Sequence, residues 1–63
     1  MLYLDQYGNK FFAKTVKELK SQLGKTKASR MFVDSKDGKT YHIGYVIGQH
    51  WLTAYEPIRK AIN

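Results

Sequence analysis

The chain has 63 residues, 43% of them apolar and 25% charged, with one proline and no cysteine. That describes one small domain, residues 1–63, with no room for a second core and no thiol for a disulfide or a thiolate-held metal. Eleven Lys and Arg against five Asp and Glu leave a net charge of +6, while no apolar run approaches the roughly 20 residues that cross a bilayer; a polyanion or an acidic protein is the expected partner and a membrane is not.

Residues 2–6 and 10–14 are short and rich in aromatic and aliphatic side chains, with Tyr7-Gly8-Asn9 between them as a turn, and are read as a hairpin. Thr15-Val16-Lys17-Glu18 has the capping-box spacing, Val16, Leu19 and Leu23 form one apolar stripe, and Gly24 is placed to end the helix. Residues 25–29 have no period and read as a basic loop. Asp37-Gly38 and Gly48-Gln49 then separate strands at 30–34, 39–47 and 50–55, a three-strand meander. Glu56-Pro57 ends the last strand, and Pro57 is placed to open a short terminal helix over residues 57–62. The expected fold is α+β, in the order ββαβββ(α): an antiparallel sheet of hairpin plus meander, packed by one amphipathic helix.

Two-residue turns at Asp37-Gly38 and Gly48-Gln49 set Val33 against His42, Phe32 against Ile43, Met31 against Gly44, Val46 against Trp51, Tyr45 against Leu52 and His42 against Tyr55. One face then holds Phe32, Ile43, Tyr45, Ile47, Leu52 and Ala54, the expected core beneath the helix. The other holds Met31, Val33, His42, Val46, Trp51 and Tyr55, with space for a flat group over Gly44. One short helix covers one face, so the second is shielded by residues 57–62, paired with another molecule, or open to a ligand.

The charge is concentrated. Residues 10–30 hold Lys10, Lys14, Lys17, Lys20, Lys25, Lys27 and Arg30 against Glu18 alone, while Lys36, Lys39, Arg59 and Lys60 elsewhere balance Asp5, Asp34, Asp37 and Glu56. Lys14 and Lys17 at the helix start oppose the macrodipole, a cost of about 0.3–1 kcal/mol each that a bound phosphate would offset. The leading expectation is a non-enzymatic nucleic-acid-binding protein, for DNA or RNA, with Lys14, Lys17, Lys20, Lys25, Lys27 and Arg30 on phosphates and Trp51, Tyr55 and His42 as stacking or partner contacts. No cofactor or metal is expected. His42 and His50 point to opposite faces and have no carboxylate at ligand spacing, and no nucleophile, base and anion hole come together in the sequence.

The order helix, three strands, helix from residue 15 to 62 resembles that of double-stranded-RNA-binding domains and of small HicA-type toxins. Three strands followed by a short helix are similar to the DNA-binding arms of phage integrases. The likeness is one of topology: residues 57–63 carry only Arg59 and Lys60 as cations and both histidines lie on the later strands, so no residue role comes with it. A short chain with a capped helix and no enzymatic motif is also of the kind common in phages and plasmids. The second reading is a protein-interaction module or inhibitor that docks the Trp51, Tyr55, Val46 and Met31 face on an acidic protein or on a second copy of itself, giving a homodimer. The amino-terminal residues lack the charged and apolar regions of a secretory signal, so a cytoplasmic location is expected.

Overall fold

The computed structural model describes residues 1–61. In chain order it has β1 (Leu2–Leu4), β2 (Lys10–Phe12), α1 (Val16–Leu23), β3 (Ser29–Asp34), β4 (Thr40–Ile47), β5 (His50–Ala54) and β6 (Ile58–Arg59). The strands form one antiparallel sheet ordered β2-β1-β5-β4-β3, with β6 paired to β4. The fold is α+β in the expected ββαβββ order, and the first hairpin joins the meander along β5.

Turn chemistry fixes the register. Met31 faces Gly44, Phe32 faces Ile43 and Val33 faces His42 across β3 and β4, and Tyr45 faces Leu52 and Val46 faces Trp51 across β4 and β5. Gly38 adopts φ 71° and Gly48 φ 62°, the left-handed region that favours glycine. The Asp37 carboxylate accepts the Lys39 N–H at 2.8 Å and the Thr40 N–H at 3.0 Å, and these bonds, the Lys39 one foremost, hold its pKa below the ordinary carboxylate value. Tyr55 lies one residue beyond β5, so the expected pair with His42 falls outside the β4–β5 register, and the Tyr55 N–H donates to the Leu2 carbonyl on the β1 side.

The first hairpin is shorter than the sequence suggests because Asp5 leaves the ladder. Its carboxylate accepts the N–H groups of Tyr7 and Asn9 and the Asn9 side-chain amide, at 2.8–2.9 Å. Desolvation raises the Asp5 pKa, but the bonds from Asn9 and Tyr7 and the His50 charge outweigh it and hold the carboxyl below its usual range. Beyond the end of β1 the Gln6 side chain then does what a backbone unit would have done. Its side-chain carbonyl accepts the Trp51 N–H at 3.0 Å and its amide donates to the Gln49 carbonyl at 2.8 Å.

Thr15 caps α1 by accepting the Glu18 N–H, and Glu18 in turn accepts the Lys14 N–H at 2.8 Å. Gly24 closes the helix at φ 67°, donating to the carbonyls of Lys20 and Ser21. Leu19 is fully buried against Ile47 of β4 and Leu52 of β5, ringed by Tyr3, Ala13 and Ala54. Each of the three fully buried side chains contributes about 1.5–3 kcal/mol of burial free energy. Burial, reinforced by the neighbouring Tyr45, pushes the Tyr3 phenol above its ordinary pKa.

Three expectations are corrected here. Residues 57–60 are not helical: Ile58 and Arg59 pair with Tyr41 and Thr40, and the Lys60 N–H donates to the Lys39 carbonyl. One or two turns of helix nucleate poorly, and β4 outruns β5 here, leaving free backbone groups that β6 satisfies; residue 62 of the expected helix lies outside the described residues. The likeness to helix–three strands–helix domains ends with that segment. Second, Phe32 leaves the core and is 64% exposed, and Ile43 is only half-buried. An eight-residue helix is about 12 Å long and eight-residue β4 about 27 Å, so α1 covers only the Ile47 end. Third, the space over Gly44 is filled: a Cβ there would lie 2.7 Å from Met31 Cε and 2.9 Å from the Leu52 carbonyl oxygen.

Candidate nucleic-acid interface

The register assigns each expected contact to a side of the sheet. Leu19 packs on the side of Ile47, Leu52 and Ala54, so α1 lies there, and Arg30, Phe32, Tyr41 and Tyr45 face the same way. Trp51 and His42 face the opposite way, and Tyr55, beyond β5, continues their alternation. Arg30 and the lysines of α1 are therefore not brought together with the three expected stacking residues.

On the helix side Lys14 and Lys17 are exposed and Lys20 is half-buried, as the apolar stripe through Leu19 requires. Lys25 lays its aliphatic stem across the Gly48 turn, where a Cβ would stand 2.9 Å from its Cε. Lys27 precedes β3 and is exposed, and the Arg30 guanidinium lies 6.0 Å from the centre of the Tyr45 ring, a cation–π distance. Among the described residues the one ion pair is Lys60 with Asp34, at 3.1 Å. None of the six cations is spent on an internal carboxylate.

Phe32, expected in the core, stands on this side in the open, and Tyr41, given no role by the sequence, lies beside it. Phe32 and Tyr41 meet edge to face, ring centres 5.6 Å apart and planes at 73°, beyond the end of α1. Phe32 is two residues from Arg30 on β3, about 6–7 Å along the strand and on the same face. The exposed Phe32, backed by the half-buried Tyr41, thus adjoins the basic segment. Comparing helix length with strand length would have found it, since the sheet outruns its cover.

On the far side the His42 Nδ1 lies 2.9 Å from the Ala54 carbonyl and donates to it, as a strand histidine with a satisfied ring does. His50 is on the helix side, edge-on to Phe11 at 6.3 Å. No group of three His, Cys, Asp or Glu side chains capable of holding a metal occurs among the described residues. An open cleft of about 480 Å³ lies between the first turn and the β4–β5 turn, lined by Gln6, Tyr7, Gly48, Gln49 and Trp51. The Gln6 amide in its wall is already committed to Trp51 and Gln49.

No protein-family model, curated protein or solved structure matches the chain. Among the described residues no helix is long and apolar enough to cross a membrane.

Proposed function

We propose that this is a non-enzymatic nucleic-acid-binding protein of the cytoplasm that takes single-stranded DNA or RNA along its helix side. Lys14, Lys17, Lys20, Lys25, Lys27 and Arg30 neutralise phosphates, and Phe32 with Tyr41 supplies the stacking platform. The observation that carries the reading is the placement of the exposed Phe32, edge to face with the half-buried Tyr41, beside unpaired cations on one side of the sheet. Single-strand binders combine those two features, phosphate neutralisation for affinity and aromatic faces that accept any base. A duplex keeps its bases stacked and gains less from Phe32, so single strands are favoured. Trp51, Tyr55 and His42 have no part in this reading.

The test is a titration with mixed-sequence single-stranded and duplex oligonucleotides at two salt concentrations. Affinity for the single strand falls with salt by about 0.7 log units per log unit for each phosphate contacted. Replacing Lys17, Lys20, Lys25 and Lys27 by Gln flattens that slope. Phe32→Ala weakens binding by about 1–3 kcal/mol and leaves the slope unchanged, whereas Trp51→Ala has little effect. Binding untouched by the four Lys→Gln substitutions would overturn the reading. Absence of any oligonucleotide shift, with proteins still retained from nuclease-treated lysate, would favour the interaction-module reading instead.

A further inference from the structure

Among the described residues nothing covers the side of the sheet away from α1. Strands β1, β5, β4 and β3 place Leu4, Trp51, Val46, Met31, Val33 and His42 on it. Those strands put no Lys, Arg, Asp or Glu there; Lys10 on β2 and Arg59 on β6 stand at the margins. Trp51 is 60% exposed, and Phe12 and Tyr55 are 68% and 62% exposed. β6 lies in the plane of the sheet and leaves this face open.

We infer that this face is the interface of a homodimer, two copies packing sheet to sheet with Trp51, Val46 and Met31 near the two-fold axis. Area is the first argument. A folded monomer of 7.3 kDa exposes about 4,200 Å² by the usual scaling with mass, and this chain exposes 4983 Å². The excess, about 800 Å², is one partner's share of a standard-size interface. It arises because the molecule is elongated, 39 × 22 × 18 Å, with a core on one side of one sheet.

Charge chooses the occupant. Each copy carries +6, so most appositions of two copies would set cations against cations. Packed back to back, the copies keep α1 with its lysines and Arg30 on their outer sides, separated by two sheets spaced about 10 Å apart and by more than the Debye length of about 8 Å at physiological salt. An acidic protein or a phosphate backbone would find no cation on the central strands to meet it. A second copy of the same uncharged surface matches it, and the aromatic residues and flexible Met31 are types that interfaces favour.

The experiment is sedimentation equilibrium of nuclease-treated protein over a range of concentrations, at low salt and at about 1 M salt, where screening acts within about 3 Å. Fluorescence of Trp51, the one tryptophan, is followed in parallel. The expected result is a two-chain mass that survives high salt, with the Trp51 emission shifting to the blue as dimer forms. Trp51→Lys, at a position exposed in the single chain, weakens association by about 30-fold or more with an unchanged far-ultraviolet circular dichroism spectrum. Thr53→Glu, on the same face, does likewise and serves if the first variant misfolds; Phe32→Ala on the helix side leaves the dimer intact. A single-chain mass at every concentration, or a dimer unaffected by both face variants, would overturn the inference. Either result leaves the oligonucleotide titration free to stand or fall separately.

Discussion

Trp51 and Leu52 are chain neighbours on β5 and belong to different environments. Leu52 is fully buried beneath α1, on the side that also carries the basic helix, the basic loop and Arg30. Trp51 is mostly exposed, on a side whose central strands carry no Lys, Arg, Asp or Glu. Strand alternation has separated two tasks that so small a chain would be expected to merge: the residues that hold the monomer together lie on one side, and an uncharged surface centred on Trp51 lies on the other.

The sharpest way to break that contrast is to truncate the two neighbours. Leu52→Ala empties part of a core with three fully buried side chains and should cost about 2–5 kcal/mol, a large part of what a domain this small possesses. Trp51→Ala, measured by denaturant unfolding at a concentration where sedimentation shows single chains, should cost less than about 1 kcal/mol. Equal losses would mean that the open side is a second core after all.

A smaller effect is expected at Gly44, where the two environments meet. Gly44→Ala places a methyl 2.7 Å from Met31 Cε and 2.9 Å from the Leu52 carbonyl oxygen, an overpacking cost of about 1–3 kcal/mol. Adding Met31→Ala should recover part of that loss, because Met31 can be moved and the Leu52 backbone cannot. Full recovery would show that the backbone approach at Leu52 is soft.

The smallest effect concerns pH. Asp5 and Asp37 both have folded pKa values below the unfolded one, Asp5 against its desolvation and Asp37 chiefly through the Lys39 N–H. Their contribution to stability is present above the unfolded aspartate value, about 3.9, and disappears as pH falls through the folded values. Asp5→Asn should flatten the decline of the melting temperature below about pH 4. An unchanged decline would show that the Asp5 bonds to Tyr7 and Asn9 contribute nothing to folding.

What the residues disclosed, and what they withheld, follows from range. Asp37-Gly38 and Gly48-Gln49 are local signals, and the register between β3, β4 and β5 follows from them pair by pair. The capping box at Thr15 and the stop at Gly24 are local too, and α1 obeys both. The error at Phe32 was one of reach: alternation tells which side a residue faces but not how far along the sheet a helix extends. Residues 57–60 went wrong for a related reason, because Pro57 suits a helix start while the vacant edge of β4, decided by tertiary pairing, drew the segment into a strand. Of the candidate site, the basic residues were legible from their clustering, whereas Phe32 read as an ordinary core aromatic and nothing in the sequence singled out Tyr41.

β3 contributes to both sides, sending Arg30, Phe32 and Asp34 one way and Met31 and Val33 the other. The length of the loop from Ser35 to Lys39, pinned by the Asp37 carboxylate, therefore governs more than a hairpin. Insertion or deletion of one residue there would turn the strand over, moving a cation and a phenylalanine to the uncharged surface and two aliphatic groups to the basic one. Variation in loop length at this point would alter both surfaces together, while changes of residue type in the strand would alter them one at a time.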